Sequence, residues 1–157
     1  MKYWLMKTEP NTYSWDDLKK EKNKTTCWDG VRNYQARNML RDEIKKGDMV
    51  FFYHSVVNPP AIVGIARVEK GGYPDHTAFD KEHHYYDPKS SPDDPVWYMV
   101  DIKAVQEFDV PVSLTELKTH PSLQQMKLLQ KGSRLSVQPV RPMEWQYICN
   151  MRRIKPV

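Results

Sequence analysis

Apolar residues recur along the chain in two periods, and each period predicts a different kind of element. Residues 3–7, Tyr3-Trp4-Leu5-Met6-Lys7, form a short apolar and aromatic run that reads as a buried strand. Residues 49–53 read the same way and end in His54-Ser55. Residues 61–68 give a third strand with Gly64 at its middle, where a bulge or a close backbone approach is expected. The longest strand signal covers residues 96–108. There Tyr98, Val100, Ile102 and Ala104 form the core face, and Trp97, Met99, Asp101 and Lys103 alternate onto the other. Residues 134–138, RLSVQ, close the series, with Leu135 and Val137 inward and Arg134, Ser136 and Gln138 outward.

Between these runs the period lengthens to that of a helix. Ser14 caps a short one with Asp16 and Asp17 in its first turn. Ala36, Met39, Leu40 and Ile44 make one apolar stripe, which Gly47 stops. Ser113-Leu114-Thr115-Glu116 is a capping box, Pro121 opens a helix that ends at Gly132, and Pro142 starts the last one. About five or six short strands separated by short helices, without βαβ alternation, predict an α+β fold: a small mixed β-barrel with helices packed around it. One core containing Leu5, Val50, Phe52, Ile65, Val100 and Leu135 is expected.

Length and composition narrow the class. A chain of 157 residues is one domain by the usual prior, and 28% charged with 39% hydrophobic residues suits a globular protein. No apolar run reaches the ~18 residues of a membrane span, and no cleavable leader is visible, so an intracellular protein with two reduced thiols, Cys27 and Cys149, is expected. It is read as a monomer. Charge is uneven. Residues 1–70 carry 13 basic and 9 acidic groups, a balance of +4; residues 71–110 carry 3 and 9, a balance of −6; residues 111–157 carry 8 and 2, a balance of +6. A basic face, extended by the tail at 152–157, hints at a polyanion partner.

The densest chemistry lies in residues 25–41, TTCWDGVRNYQARNMLR. Trp28 reads equally as a core residue or as a flat wall for a ligand, and Asn33 as a helix cap or as a polar contact. Five histidines match no metal-ligand spacing, and no cofactor loop or nucleophile motif is present. An enzyme built on Cys27, His54 or Asp29 is the alternative reading. The remaining inventory suits a planar ring. Trp28, Tyr53 and Trp97 stack on it, Asn33, Ser55, Ser136 and Gln138 bond its edge, and Lys7, Arg32, Arg37, Lys131 and Arg134 hold phosphates. The polar segment from Asp75 to Pro95, with His83-His84-Tyr85-Tyr86 inside it, is too long for a bare connection and is expected to cover the surface or to act.

YWLMKTEP (3–10), YSWDDL (13–18), TTCWDGVRNYQARN (25–38), FFYHS (51–55), YPDHTAFD (73–80), YYDPKS (85–90), WYMVD (97–101) and RLSVQP (134–139) follow one another as they do in the EVE domain family, which this chain resembles nearly end to end. The resemblance implies a PUA-like barrel, a fold shared with YTH readers of modified bases. It further implies a non-catalytic module without a cofactor that takes a modified nucleobase of DNA or RNA between aromatic walls. A bacterial cytoplasm or a nucleus would suit such a ligand. By the same likeness Trp28 and Trp97 are the two walls, Lys7 and Thr8 offer donors at the end of the first strand, and Asn33, His54 and Ser55 lie on the pocket side. Arg134, Ser136 and Gln138 occupy the outward face of RLSVQ. The family often has a basic residue before its second Trp; here it is Val96, which removes one phosphate contact.

Overall fold

The structure, a computed structural model, describes every residue except Ser133, Pro156 and Val157. Six strands form one sheet: β1 (Tyr3–Thr8), β2 (Thr25–Cys27), β3 (Met49–His54), β4 (Ala61–Pro74), β5 (Tyr98–Ser113) and β6 (Val137–Val140), in the order β2-β5-β4-β3-β1-β6. β1 pairs in parallel with β3, and the other neighbours are antiparallel. The chain has the α+β, PUA-like arrangement, but the sheet is mixed and open. Among the described residues its edge strands β2 and β6 are not joined to each other. The last two residues of the expected basic tail lie outside the described residues.

β3 shows why the apolar run at 49–53 is continuous. Successive side chains of a strand point to opposite faces, and this strand is buried on both. Val50 and Phe52 join Trp4, Met6, Trp28, Val100, Ile102 and Leu135 on one face. Met49, Phe51 and Tyr53 join Leu5, Ile65, Phe108 and Trp145 on the other. The expected single core is therefore two apolar layers, with Leu5 and Ile65 across the sheet from the other four residues named for it. The first layer is closed by α1 (Trp15–Lys20), by α2 (Tyr34–Asn38) and by the π-type turn Met39–Glu43 that continues α2. The second is closed by α3 (Leu114–Lys118), α4 (Pro142–Met151) and two single 3-10 turns, Pro121–Leu123 and Lys127–Leu129, where one longer helix was expected.

Local chemistry sets the boundaries. Ser14 and Asp17 exchange side-chain and backbone hydrogen bonds in a full capping box at α1. Ser113 caps α3, but the Glu116 carboxylate turns away to pair with Arg152. At Gly64 a side chain would meet the Trp15 indole at 2.5 Å, so the absent Cβ is what lets α1 lie on the sheet. The alternation expected along 96–108 fails at its start. β5 begins after Trp97, and Met99 is buried although it lies on the face opposite Val100 and Ile102. RLSVQ is likewise only half strand: Leu135 is buried ahead of β6, and Gln138 points inward with its amide donating to Leu135 O.

Candidate functional site

β2 was illegible in the sequence, yet it positions the site. It runs against β5 with Thr25 opposite Lys103 and Cys27 opposite Asp101, and the Trp28 N–H then donates to Val100 O at 2.7 Å. The chain turns at Gly30, whose φ of +78° suits glycine, and Asn33 caps α2 by accepting from the Ala36 N–H at 3.0 Å. Between this turn, the end of β1 and the 83–85 segment lies a cleft of about 550 Å³. Lys7, Thr8, Tyr13, Cys27, Trp28, Asp29, Val31, Arg32, His83, His84, Tyr85 and Ser136 are among its lining residues.

Trp28 serves in both of the ways the sequence left open. It is 7% exposed and packs edge-on against Phe52 at 5.5 Å and Tyr13 at 6.4 Å, yet it also lines the cleft. A second aromatic part of the lining comes from the long polar segment. His83 stacks on His84 with centroids 4.9 Å apart and on Tyr85 at 5.4 Å, and the His84 and Tyr85 rings meet at a tilt, 4.0 Å apart.

One buried carboxylate holds that wall in place. Asp75 is fully buried and accepts from the Gly30 N–H at 2.8 Å, from Arg32 at 2.9 Å and from both the N–H and the hydroxyl of Thr77. Burial alone would raise its carboxyl, but these donors outweigh burial and hold it below the usual carboxylate range. Arg32 also donates to Tyr85 O at 2.7 Å, and its guanidinium lies 5.3 Å from the ring centroids of both Tyr85 and Trp97. The Tyr85 ring rests on Gly30 so closely that a Cβ there would come within 2.3 Å of it. Gly30→Ala should therefore displace the wall and, from the left-handed backbone alone, cost about 1–2 kcal/mol. Chemical denaturation measures this, and an unchanged midpoint would refute it.

The other residues named from the sequence fall in different places. Lys7, Thr8 and Ser136 line the cleft with Trp28 and Arg32. Trp97 does not. It is buried, stacks on Tyr34 at 4.9 Å, and donates its indole N–H to Asp87 at 2.6 Å, so it backs the Arg32–Tyr85 wall instead of facing the cleft. Tyr53 is buried in the opposite apolar layer, and burial pushes its phenol up to about 12. His54 Nε2 accepts from the Trp15 N–H at 3.1 Å, and burial lowers the imidazole below its ordinary value. Neither His54, Ser55, Asn33 nor Gln138 reaches the cleft. Of the cations expected on phosphate, Arg37 is bonded to Val96 O and Asn38, and Arg152 to Glu116 and three carbonyls. Arg134 is exposed beside the cleft-lining Ser136. Tyr85 and His84 were not singled out as walls, although the density of rings in HHYY was the available signal.

Charge within the cleft is mixed, with Lys7 and Arg32 against Glu9 and Asp29. Burial lowers Lys7 below an ordinary lysine. Burial, with Asp29 beside it, raises the Cys27 thiol, the reverse of an activated thiolate. Asp29 is raised by burial and then by Asp75. The site thus offers flat faces, a few donors and acceptors, and a thiol held protonated.

The EVE domain family model matches residues 2–151. Mouse thymocyte nuclear protein 1 is 43% identical over 171 residues, covering 98% of this chain and 75% of that protein. A crystal structure of a Pseudomonas putida protein is 48% identical, covers 96% of this chain and 99% of its own, and superposes with a TM-score of 0.90. A crystal structure of human THYN1 in complex with DNA containing 5-methylcytosine is 39% identical, covers 99% and 100% of the two chains, and also gives a TM-score of 0.90.

Proposed function

We propose, from the premise that this chain belongs to the EVE domain family, that it is a non-catalytic DNA-binding module which takes a modified nucleobase into the cleft beside Trp28. The observation that carries the reading is the cleft itself, which Trp28, the rings of His84 and Tyr85, and polar groups from Lys7, Thr8, Asp29 and Ser136 line together. Flat walls select a planar ring whatever its identity, and edge groups supply the choice among rings. That human THYN1 binds DNA containing 5-methylcytosine supports a modified cytosine as the base. An enzyme built on Cys27 and His54 finds no support, since the thiol is raised and His54 is engaged by Trp15 outside the cleft. An intracellular place, cytoplasmic or nuclear, goes with such a ligand.

A paired base cannot reach these walls, so the module binds single strands or extrudes the base, which costs a few kcal/mol and is easiest where pairing is weak. Phosphate contacts set the salt dependence without choosing the base. With Arg32, Arg37 and Arg152 already bonded within the protein, few cations, Lys7, Lys131 and Arg134 among them, are left for the backbone, and log Kd should change with log salt by a slope of only about two to three. The test is a salt titration on oligonucleotides with and without one 5-methylcytosine, each as single strand and as duplex. The methylated strand should keep its advantage at every salt concentration. Equal binding throughout would make this a general polyanion binder.

A further inference from the structure

Two carboxylates line the cleft: Glu9, which is exposed, and Asp29, which is only partly open to water. Asp75 has four donors and Asp87 has the Trp97 indole, but among the described residues no hydrogen bond or ion pair ends on the Asp29 side chain. It nonetheless lines the cleft next to Trp28 and is only partly open to water. A half-buried carboxylate whose oxygens still meet solvent can exchange that water for a donor on a ligand. We propose that Asp29 is the specificity-determining residue of the cleft, accepting a hydrogen bond from the exocyclic amine of a 5-methylcytosine stacked on Trp28 and thereby rejecting thymine. The inference rests on the modified-base reading given above.

The chemistry discriminates between two bases of nearly identical shape. 5-Methylcytosine and thymine share the ring and the methyl group. They differ on the paired edge, where the first presents an amino donor and the second a carbonyl oxygen. A carboxylate meeting the amine gains a charge-assisted bond, whereas one meeting the carbonyl places two acceptors together with no proton between them. Burial and the neighbouring Asp75 already hold the Asp29 carboxyl above its ordinary range, with His83, His76 and Arg32 acting in the opposite direction. A donor on the ligand relieves that penalty. Asn at this position carries both a donor and an acceptor and can turn either toward the base, so it should accept both rings.

The measurement compares four single strands identical except for one central base: 5-methylcytosine, cytosine, thymine or uracil. They are titrated against the wild-type protein and against Asp29→Asn and Asp29→Ser; whichever variant keeps the wild-type melting temperature is read. Wild type should favour 5-methylcytosine over thymine by roughly tenfold to hundredfold. In Asp29→Asn that ratio should fall to within about threefold, mainly through tighter thymine binding, while the advantage of each methylated base over its unmethylated partner persists. An undiminished ratio in the folded variant overturns the assignment of Asp29. So does a wild-type protein that favours 5-methylcytosine over cytosine yet binds thymine equally well, and this outcome leaves the modified-base reading standing. A wild-type protein indifferent to the methyl group removes that reading and this inference together.

Discussion

Asp75→Ala should destabilise the protein by about 3–5 kcal/mol, because it strips the partner from a largely buried guanidinium and from the Gly30 N–H at once. The Arg32 side chain keeps 22% of its surface open to water, which offsets part of that loss and favours the lower end. The loss should be visible in chemical denaturation as a lower midpoint with an unchanged slope. It should also loosen the cleft, since Arg32 would no longer be fixed against Tyr85. Acid should act on the same contact. The native Asp75 carboxyl lies below its unfolded value, so it contributes stability that is complete above the ordinary carboxylate range. That contribution is lost as pH falls from that range down through the lowered native value. Stability measured from pH 6 downward should drop less steeply in Asp75→Asn than in wild type. Parallel curves, or a wild-type midpoint in Asp75→Ala, would count against Asp75 as the residue that holds the wall.

Where a side chain's role depends on its own strand or helix, the sequence was a sufficient guide. The runs at 3–7 and 49–53, the Ser14 and Ser113 caps and the glycine at 64 each carry their explanation within a few residues, and each stands in the structure close to where it was placed. The misreadings share a different cause. β2 is three residues long and owes its extended form to pairing with β5, some seventy-five residues onward, so its own pattern says little. Arg32 looks like a free cation until Asp75 is brought beside it, and Arg152 until Glu116 is. The alternation puts Trp97 on the outer face of a strand. It precedes that strand, and Tyr34, Asp87 and Arg32 surround it. Much of the cleft was legible through the family resemblance, which marked Lys7, Thr8, Trp28 and Ser136. The His84 and Tyr85 part of the lining was not, because a ring-rich segment shows its partner only once the turn at Gly30 is folded beneath it.

Trp28 carries the largest effect on binding and also a large one on folding, and the two must be separated. Loss of one base–aromatic stack removes about 1–3 kcal/mol, so Trp28→Ala should weaken binding of the methylated strand roughly tenfold to hundredfold. The same substitution empties a site packed against Phe52 and Tyr13, and truncating a buried tryptophan costs about 3–5 kcal/mol of stability. Stability at that level is a large share of what a domain of this size possesses, so Trp28→Phe is the more informative variant. It keeps a ring against Phe52, leaves a smaller cavity, and should unfold less readily than Trp28→Ala while still binding several-fold more weakly than wild type. Tyr85→Ala should show the converse balance, since the Tyr85 ring lies on the half-exposed rim and is not in either apolar layer. Its melting temperature should change little while binding falls by a similar factor. Trp97→Ala should lower stability and affect binding only as far as Arg32 and Tyr85 shift with it. Titrations of all four variants with one methylated single strand, each paired with a thermal melt, give the answer. A folded Trp28→Ala protein with wild-type affinity would mean that the base is not stacked there.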